Sequence, residues 1–306
     1  MSSNTAQFAF EFLDVDYRVS VLEFQAAENL SEMFGVTMAL VSDELIPCED
    51  VVRQEGVLTI VNPYKSSSLF KPGVTPDRYF HGVLRKFRYS GMKGRFHLYE
   101  AQLVPSLWLL SLKQNCRIFQ DMKLQDIVAK ILEEHDITSD QYAFRLKNED
   151  IFNKFNIQYN ETDLHFISRL VEKEGIFYFF EHFEDKHVLV FCDTEAFYRD
   201  IAGDTSIQLN SGDGLVSAME SIFSFEYSEH VRSKKYRHTN YNFKTPSLKL
   251  ETDFEGENSK PDDSIEVYTY PGSYGEPKRG GVLPKYECNL LLHSKKRGEV
   301  SAILYD

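Results

Sequence analysis

Between Leu124 and Leu132 the apolar residues change their spacing, and that change limits the architectures open to the chain. Leu124, Ile127, Val128, Ile131 and Leu132 fall at i, i+3, i+4, i+7 and i+8, a single stripe on a helix that must pack against something. The preceding residues follow a period of two instead. Val15, Tyr17, Val19 and Val21 alternate with polar residues, and Val57 to Val61 forms a further strand-like run. Tyr79–Tyr89 and Arg95–Val104 flank Gly91-Met92-Lys93-Gly94, the pattern of a hairpin. Residues 12–112 are therefore expected to form an antiparallel barrel or sandwich. The 24 Phe and 17 Tyr residues, against one Trp, also favour sheets, where aromatic side chains fit the pleated surface.

A second helix is expected after Asn160, read as its N-cap, with Glu161 and Asp163 in a first turn where the helix dipole favours anions. Gly175 should stop it, and Leu164, Ile167, Leu170 and Val171 give it a buried side. Ile176–Phe180, the polar turn Glu184-Asp185-Lys186 and Val188–Phe191 then read as a hairpin. Strand patterns resume at Ile222. Residues 251–263 read as an acidic loop, and residues 284–298, around Leu290, Leu291 and Leu292, as a weakly periodic helix. The fold expected is a β-rich α+β one: two antiparallel β-barrel domains, residues 1–112 and 207–306, flanking an α+β insert at 113–206.

Charge narrows the partners. The 47 acidic and 34 basic residues leave a net charge of -13, a field that repels phosphate backbones and anionic lipid surfaces, so neither nucleic acid nor stable membrane insertion is expected. Arg85-Lys86-Phe87-Arg88 and Lys295-Lys296-Arg297 read as solvated faces. Cys48, Cys116, Cys192 and Cys288 lie far apart with no C-x-x-C pair, the pattern of reduced, buried thiols. No positive segment followed by an apolar one opens the sequence, and no run of 18 apolar residues occurs. Any export is expected to proceed without a signal peptide.

Common catalytic signatures, G-x-S-x-G, H-E-x-x-H, G-x-x-x-x-G-K-[ST] and G-x-G-x-x-G, do not occur. The best metal candidate is Glu181, His182, Asp185 and His187 around the expected hairpin turn, joined by Cys192 and Asp193, because imidazoles and carboxylates on facing strands can converge on zinc. Ordinary turn chemistry accounts for the same residues. Glu161, Asp163, Glu172 and Glu174 share the second helix with Arg169 and Lys173; an acid and base pair is one reading, and a surface ion pair between Glu172 and Arg169 the plainer one. His165 reads as a structural histidine and Trp108 as a core residue rather than an interface anchor. No residue is assigned a catalytic, cofactor-binding or metal role.

The run from Gln158 to Phe180, QYNETDLHFISRLVEKEGIFYFF, resembles the helix and strand that mark the VgrG family of type VI secretion spike proteins, and more distantly the tail hubs of contractile phages. Phe80-His81-Gly82-Val83, Leu103–Leu110, Arg117-Ile118-Phe119-Gln120 and Tyr270-Pro271-Gly272 agree in order, so the likeness spans nearly the whole chain. Cys116 and Lys123 stand where the family more often has a small hydroxyl residue, and Asp121 is the expected replacement cap for the first helix. The resemblance implies a homotrimeric hub whose three pairs of barrels face a hexameric secretion tube protein, carrying a C-terminal needle and tip or effector proteins. It implies a structural part, cytoplasmic during assembly and then delivered outward. Family members continue into a small β-domain and a β-helix needle, which would follow Asp306. A contractile-phage or prophage tail hub is the alternative, and a cell-wall hydrolase a third.

Overall fold

The alternating residues of the N-terminal third form a six-stranded antiparallel sheet in the computed structural model, which describes residues 8–61, 77–148, 151–199, 221–229, 233, 235–255, 265–272, 274 and 296–303. The chain divides into two compact units, Met1–Val171 with Ile176–Thr205, and Glu172–Gly175 with Ser206–Asp306. In the first unit β1 (Phe8–Phe12), β2 (Ser20–Ala27), β3 (Gly35–Ser42), β4 (Glu55–Ile60), β5 (Arg78–Lys93) and β6 (Phe96–Val104) lie in the order β1-β4-β5-β6-β3-β2. A short helix, α1 (Cys48–Val51), joins β3 to β4. Phe10, Met38, Leu40, Leu58, Leu84, Tyr99 and Leu103 share one core inside the curl of this sheet. Phe8 of β1 and Phe24 of β2 meet edge to face at 5.1 Å, yet among the described residues no ladder joins those strands. Among the described residues the sheet is thus a curled half-barrel, where a barrel or sandwich was expected.

Two strand expectations change in detail. Val15, Tyr17 and Val19 turn alternately inward as their spacing implied, but they lie in the connection between β1 and β2, in no ladder among the described residues, and only Val21 belongs to a strand. Period alone does not supply a partner. Gly91 belongs to β5, where its φ of 113° accommodates a register shift after Tyr89; the turn itself is Gly94-Arg95.

The second half of this unit holds β7 (Gln114–Lys123), α2 (Leu124–Glu133), β8 (Tyr142–Arg145), β9 (Phe152–Thr162), α3 (Asp163–Lys173), β10 (Phe177–His182) and β11 (His187–Cys192). β7 pairs with β9 in a two-stranded ribbon, and β10-β11-β8 form a sheet in which β8 runs parallel to β11. All five stripe residues of α2 are buried. On α3, Phe166, Ile167, Leu170 and Val171 are buried while Leu164 lies at the edge of the core. Phe119 of β7 stacks on Phe166 at 5.5 Å, tying ribbon to helix.

The helix ends depart from expectation. Asn160 and Glu161 lie in β9, and the α3 cap is Thr162, whose Oγ1 accepts from the His165 N–H at 3.1 Å. Asp121 does not cap α2. It sits inside β7 with φ 53°, and Lys123 at the N-cap makes no side-chain cap bond; the Leu124 N–H reaches Ile151 O instead. Gly175 does end α3: with φ 71° it lets its own N–H bond Glu172 O and the Ile176 N–H bond Val171 O, the paired closure of a Schellman motif.

In the second unit β12 (Ser221–Glu229) pairs with β16 (Lys296–Ile303), while β14 (Leu250–Glu255), β13 (Lys235–Asn240) and β15 (Glu266–Thr269) form a three-stranded sheet in that order. The acidic stretch expected as loop is strand over its first five residues, because Glu251–Glu255 pair along β13. The helix expected near the C-terminus falls outside the described residues up to 295, and Lys296–Gly298 are strand. Pro271-Gly272 folds back on β13 through Gly272 N–H to Thr239 O at 2.8 Å, with Tyr274 OH donating to His238 O at 3.0 Å.

Gly56 and Gly82 face each other across β4 and β5. A Cβ on Gly82 would stand 2.5 Å from Val104 O, a backbone atom that cannot swing aside. Gly82→Ala should therefore destabilise the chain by about 1–3 kcal/mol, seen as a lower urea midpoint with unchanged slope.

Candidate assembly surface and buried polar clusters

The β7–β9 ribbon is inverted relative to an ordinary surface sheet. Ile118 pairs with Ile157 and Gln120 with Phe155, and these side chains point outward: Ile118 is 68% exposed, Ile157 54%, Phe155 53% and Tyr159 78%. Between Cys116 and Gln120 on β7, and at Phe155, Ile157 and Tyr159 on β9, the outward residues carry no charge. The inward side holds the polar groups. Arg117 pairs with Gln158 and Phe119 with Asn156, and both amides are buried. A continuous exposed apolar face over a polar underside marks an interaction surface more than a solvated one.

The underside converges on Asp163, whose side chain has no exposed surface. Its carboxylate accepts from Arg117 Nη2 at 2.6 Å, Gln158 Nε2 at 2.7 Å and Asn115 Nδ2 at 3.0 Å, with His135 Nε2 at 2.9 Å. Burial pushes this carboxyl up, but the bonds from Gln158, His135 and Asn115 and the Arg117 charge outweigh it and hold it below the usual range. Asp163 thus lies in the first turn of α3, as expected, though as its first residue, and is also the anchor of the ribbon, which its sequence position did not disclose. The partners Asn115, Arg117, His135 and Gln158 were missed because they come from three separate elements.

The other sequence candidates separate. Glu181 takes a two-point ion pair from Arg145, both contacts at 2.7 Å. Asp193 accepts the backbone N–H groups of Lys147 and Asn148, Cys192 Sγ donates to Thr194 O, and Asp185 lies on the exposed turn. Among the described residues no group of three His, Cys, Asp or Glu side chains is placed to hold a metal ion. Arg169 turns to Glu161 at 2.6 Å rather than to Glu172, and exposed His165 meets Glu161 as well; Arg169 first, then burial opposing it and His165 assisting, leaves the Glu161 carboxyl below its usual range. Trp108 is half-buried, with the Arg85 guanidinium 5.6 Å from its ring centre. Of the described cysteines only Cys192 is buried; Cys48 is intermediate and Cys116 exposed.

One contact joins the half-barrel to the hairpin β10–β11 through histidines. His81 Nδ1 lies 3.0 Å from His187 Nδ1, His187 Nε2 accepts the Ser106 N–H at 3.2 Å, and His182 Nδ1 accepts the His81 N–H at 3.3 Å. His182 Nε2 faces Glu28 Oε1 at 2.9 Å. Burial, then the neighbouring His182, lowers His81 to about 4 against a weak opposing pull from Asp185. Burial, then His81 and His182, lowers His187 to about 3. His81 carried a usable signal: a histidine inside the apolar run Phe80–Leu84 had to find a buried partner.

Residues 27–301 match the family of phage tail baseplate hub proteins (GPD). The chain is 30% identical to the type VI secretion system spike protein VgrG4b of Pseudomonas aeruginosa, over 97% of this chain and 35% of that protein. It is 29% identical to VgrG2a of the same organism, over 100% of this chain and 35% of the relative. It therefore spans about a third of the length of these curated relatives. Among solved structures, an E. coli component of the type VI secretion system, described as similar to the T4 bacteriophage tail proteins gp27 and gp5, aligns with TM-score 0.57 and 26% identity over 72% of this chain and 56% of that one. A tail protein from Neisseria meningitidis MC58 aligns with TM-score 0.60 at 9% identity, over 96% of this chain and 79% of that one, a likeness of fold alone.

Removing the Asp163 carboxylate takes the strongest acceptor from Arg117 and Gln158, which keep Glu134 and Glu161 O, and the acceptor of the Asn115 amide. Asp163→Ala should cost about 3–5 kcal/mol in urea unfolding. Because the folded carboxyl titrates below its ordinary 3.8, its contribution is present above that value and is lost as pH falls through the lower folded one. The variant should accordingly lose the part of the wild-type acid transition that lies below pH 4.

Proposed function

The chain belongs to the phage tail baseplate hub family, and on that premise we propose that it is the base of a type VI secretion spike, a part that assembles and bears load without a catalytic site of its own. The names of its Pseudomonas relatives support the spike reading, and the apolar outer face of the β7–β9 ribbon is the observation that carries the assembly role. Its occupant is a second copy of this chain. With a net charge of -13, copies repel one another over most of their surface, and an uncharged face is where that repulsion is least and apolar burial greatest. A ring closes with three copies when each contact joins two different surfaces, whereas an unclosed contact would polymerise.

The reading extends to what a hub does. In that reading the half-barrel segment 1–112 and the strand-bearing segment 207–306 act as two related modules on either side, in sequence, of the α+β segment 113–206, so that three copies offer six modules to a hexameric secretion tube. The C-terminal direction leads to needle, tip and effector proteins, and the assembly is built in the cytoplasm and then delivered outward. Among the described residues no helix is long and apolar enough to cross a membrane. The phage or prophage tail hub remains the second reading, favoured by the fold shared with the Neisseria tail protein. A hydrolase draws no support from the carboxylates singled out, since Glu161, Asp163, Glu181 and Asp193 each have partners within the chain.

Sedimentation velocity over a hundredfold concentration range should resolve monomer and trimer, with trimer rising with concentration. Ile118→Ser combined with Tyr159→Ser should shift the mixture toward monomer with little change in unfolding midpoint, since both side chains are exposed in the single chain. A dimer that persists on dilution would overturn the hub reading, and undiminished trimer in the double variant would remove the ribbon from the interface.

A further inference from the structure

Hydrogen bonding fixes where each proton sits in the histidine contact. His187 Nε2 accepts from the Ser106 N–H, so the neutral ring carries its proton on Nδ1 and donates it to His81 Nδ1. His81, accepting there, must hold its own proton on Nε2, a buried atom with no hydrogen-bond partner, 3.9 Å from Glu55. His182 accepts the His81 backbone N–H on Nδ1 and so donates from Nε2 to Glu28. Neutral rings satisfy every one of these contacts in one arrangement.

A further proton has no free place to go. On His81 it would occupy Nδ1 and set two N–H groups head to head across 3.0 Å. On His187 it would occupy Nε2 and face the Ser106 N–H. Shifting the tautomers relieves one clash only by making the other. The surroundings offer little compensation: Phe34 lies 4.6 Å from the His182 ring and 5.8 Å from the His187 ring, centre to centre. The charged or titratable groups facing the pair are Glu55 from β4, beyond hydrogen-bond reach, His182 and Asp185 from the β10–β11 hairpin, and Glu28 ahead of β3, which is engaged with His182.

We propose that His81, His182 and His187 form an acid-labile clasp: neutral, it holds the β10–β11 hairpin against β5, and one proton on His81 or His187 releases it while the rest of the fold stands. The half-barrel has a core of its own, whereas Tyr178, Leu189 and Phe191 of the hairpin belong to the core around α2 and α3 and Phe180 packs against both, so the hairpin can part from β5 without emptying the half-barrel.

The sign follows from the protons bound. Both histidines take up a proton near 6.5 when released and only at about 4 and about 3 when clasped, so the open form binds more protons and clasp stability falls as pH drops below 6.5. Hydrogen exchange on the full chain at pH 7.5 and pH 5.0, corrected for intrinsic rates, should show β10–β11 losing protection roughly several hundredfold relative to α2. In His81→Asn, Oδ1 replaces Nδ1 as the acceptor and takes up no proton, so only the His187 share should remain, a loss of about thirtyfold. Equal protection of the hairpin at the two pH values would overturn the clasp. If the variant fails to fold, nitrogen-15 spectra of wild-type histidines decide: the expected neutral forms are Nδ1–H at His187 and Nε2–H at His81 and His182. Either His81 or His187 titrating near pH 6.5 with the hairpin still protected would overturn it as well.

Discussion

A carboxylate with no exposed surface sits where β9 becomes α3, and the middle of the chain is arranged around it. Asp163 takes bonds from β7, from β9 and from the turn after α2, so one side chain fixes the seat of the ribbon, the start of one helix and the end of another. Such a charge is tolerable only when fully partnered, which is why so many donors are drawn inward. Those inward donors occupy the face that a ribbon normally gives to apolar residues. Ile118, Phe155, Ile157 and Tyr159 are left outside as a consequence.

The regular parts of the architecture were legible because each has a local cause. The α2 stripe, the Gly175 stop and the hairpin from Phe177 to Cys192 follow from spacing, a left-handed glycine and a polar turn, none of which needs distant residues. What eluded sequence reasoning depends on partners far away in the chain. Thr162 displaced Asn160 as the α3 cap because β9 runs on through Asn160 while paired with β7. Glu251–Glu255 read as loop from their charge, yet alternate exposure along β13 lets a strand carry acidic residues on one side.

The candidate site was legible in a different proportion. Glu161, Asp163, Arg169, His182 and His187 were all singled out, each group with a zinc or acid–base reading beside a plainer structural one, but without their true partners, since spacing does not show them. Arg145, Arg117 and His81 decide what those groups do, and each comes from another strand. The apolar ribbon face shows as alternation in Phe155–Tyr159, where Phe155, Ile157 and Tyr159 alternate with Asn156 and Gln158. Which side faced out could be settled only by knowing that Asp163 was buried beneath.

The parallel pairing of β8 with β11 carries a consequence for how the chain is made. β8 is synthesised ahead of β9, α3 and β10, yet its only ladder among the described residues is with β11, so it leaves the ribosome with its edge unmatched and waits for its partner. Over that interval Tyr142 and Phe144 belong to no sheet, and the nascent segment is open to pairing with other chains. Closure of long-range ladders of this kind slows folding. Yield in a cell should then depend on translation speed and chaperone supply across residues 142–192 more than on the final stability of the fold.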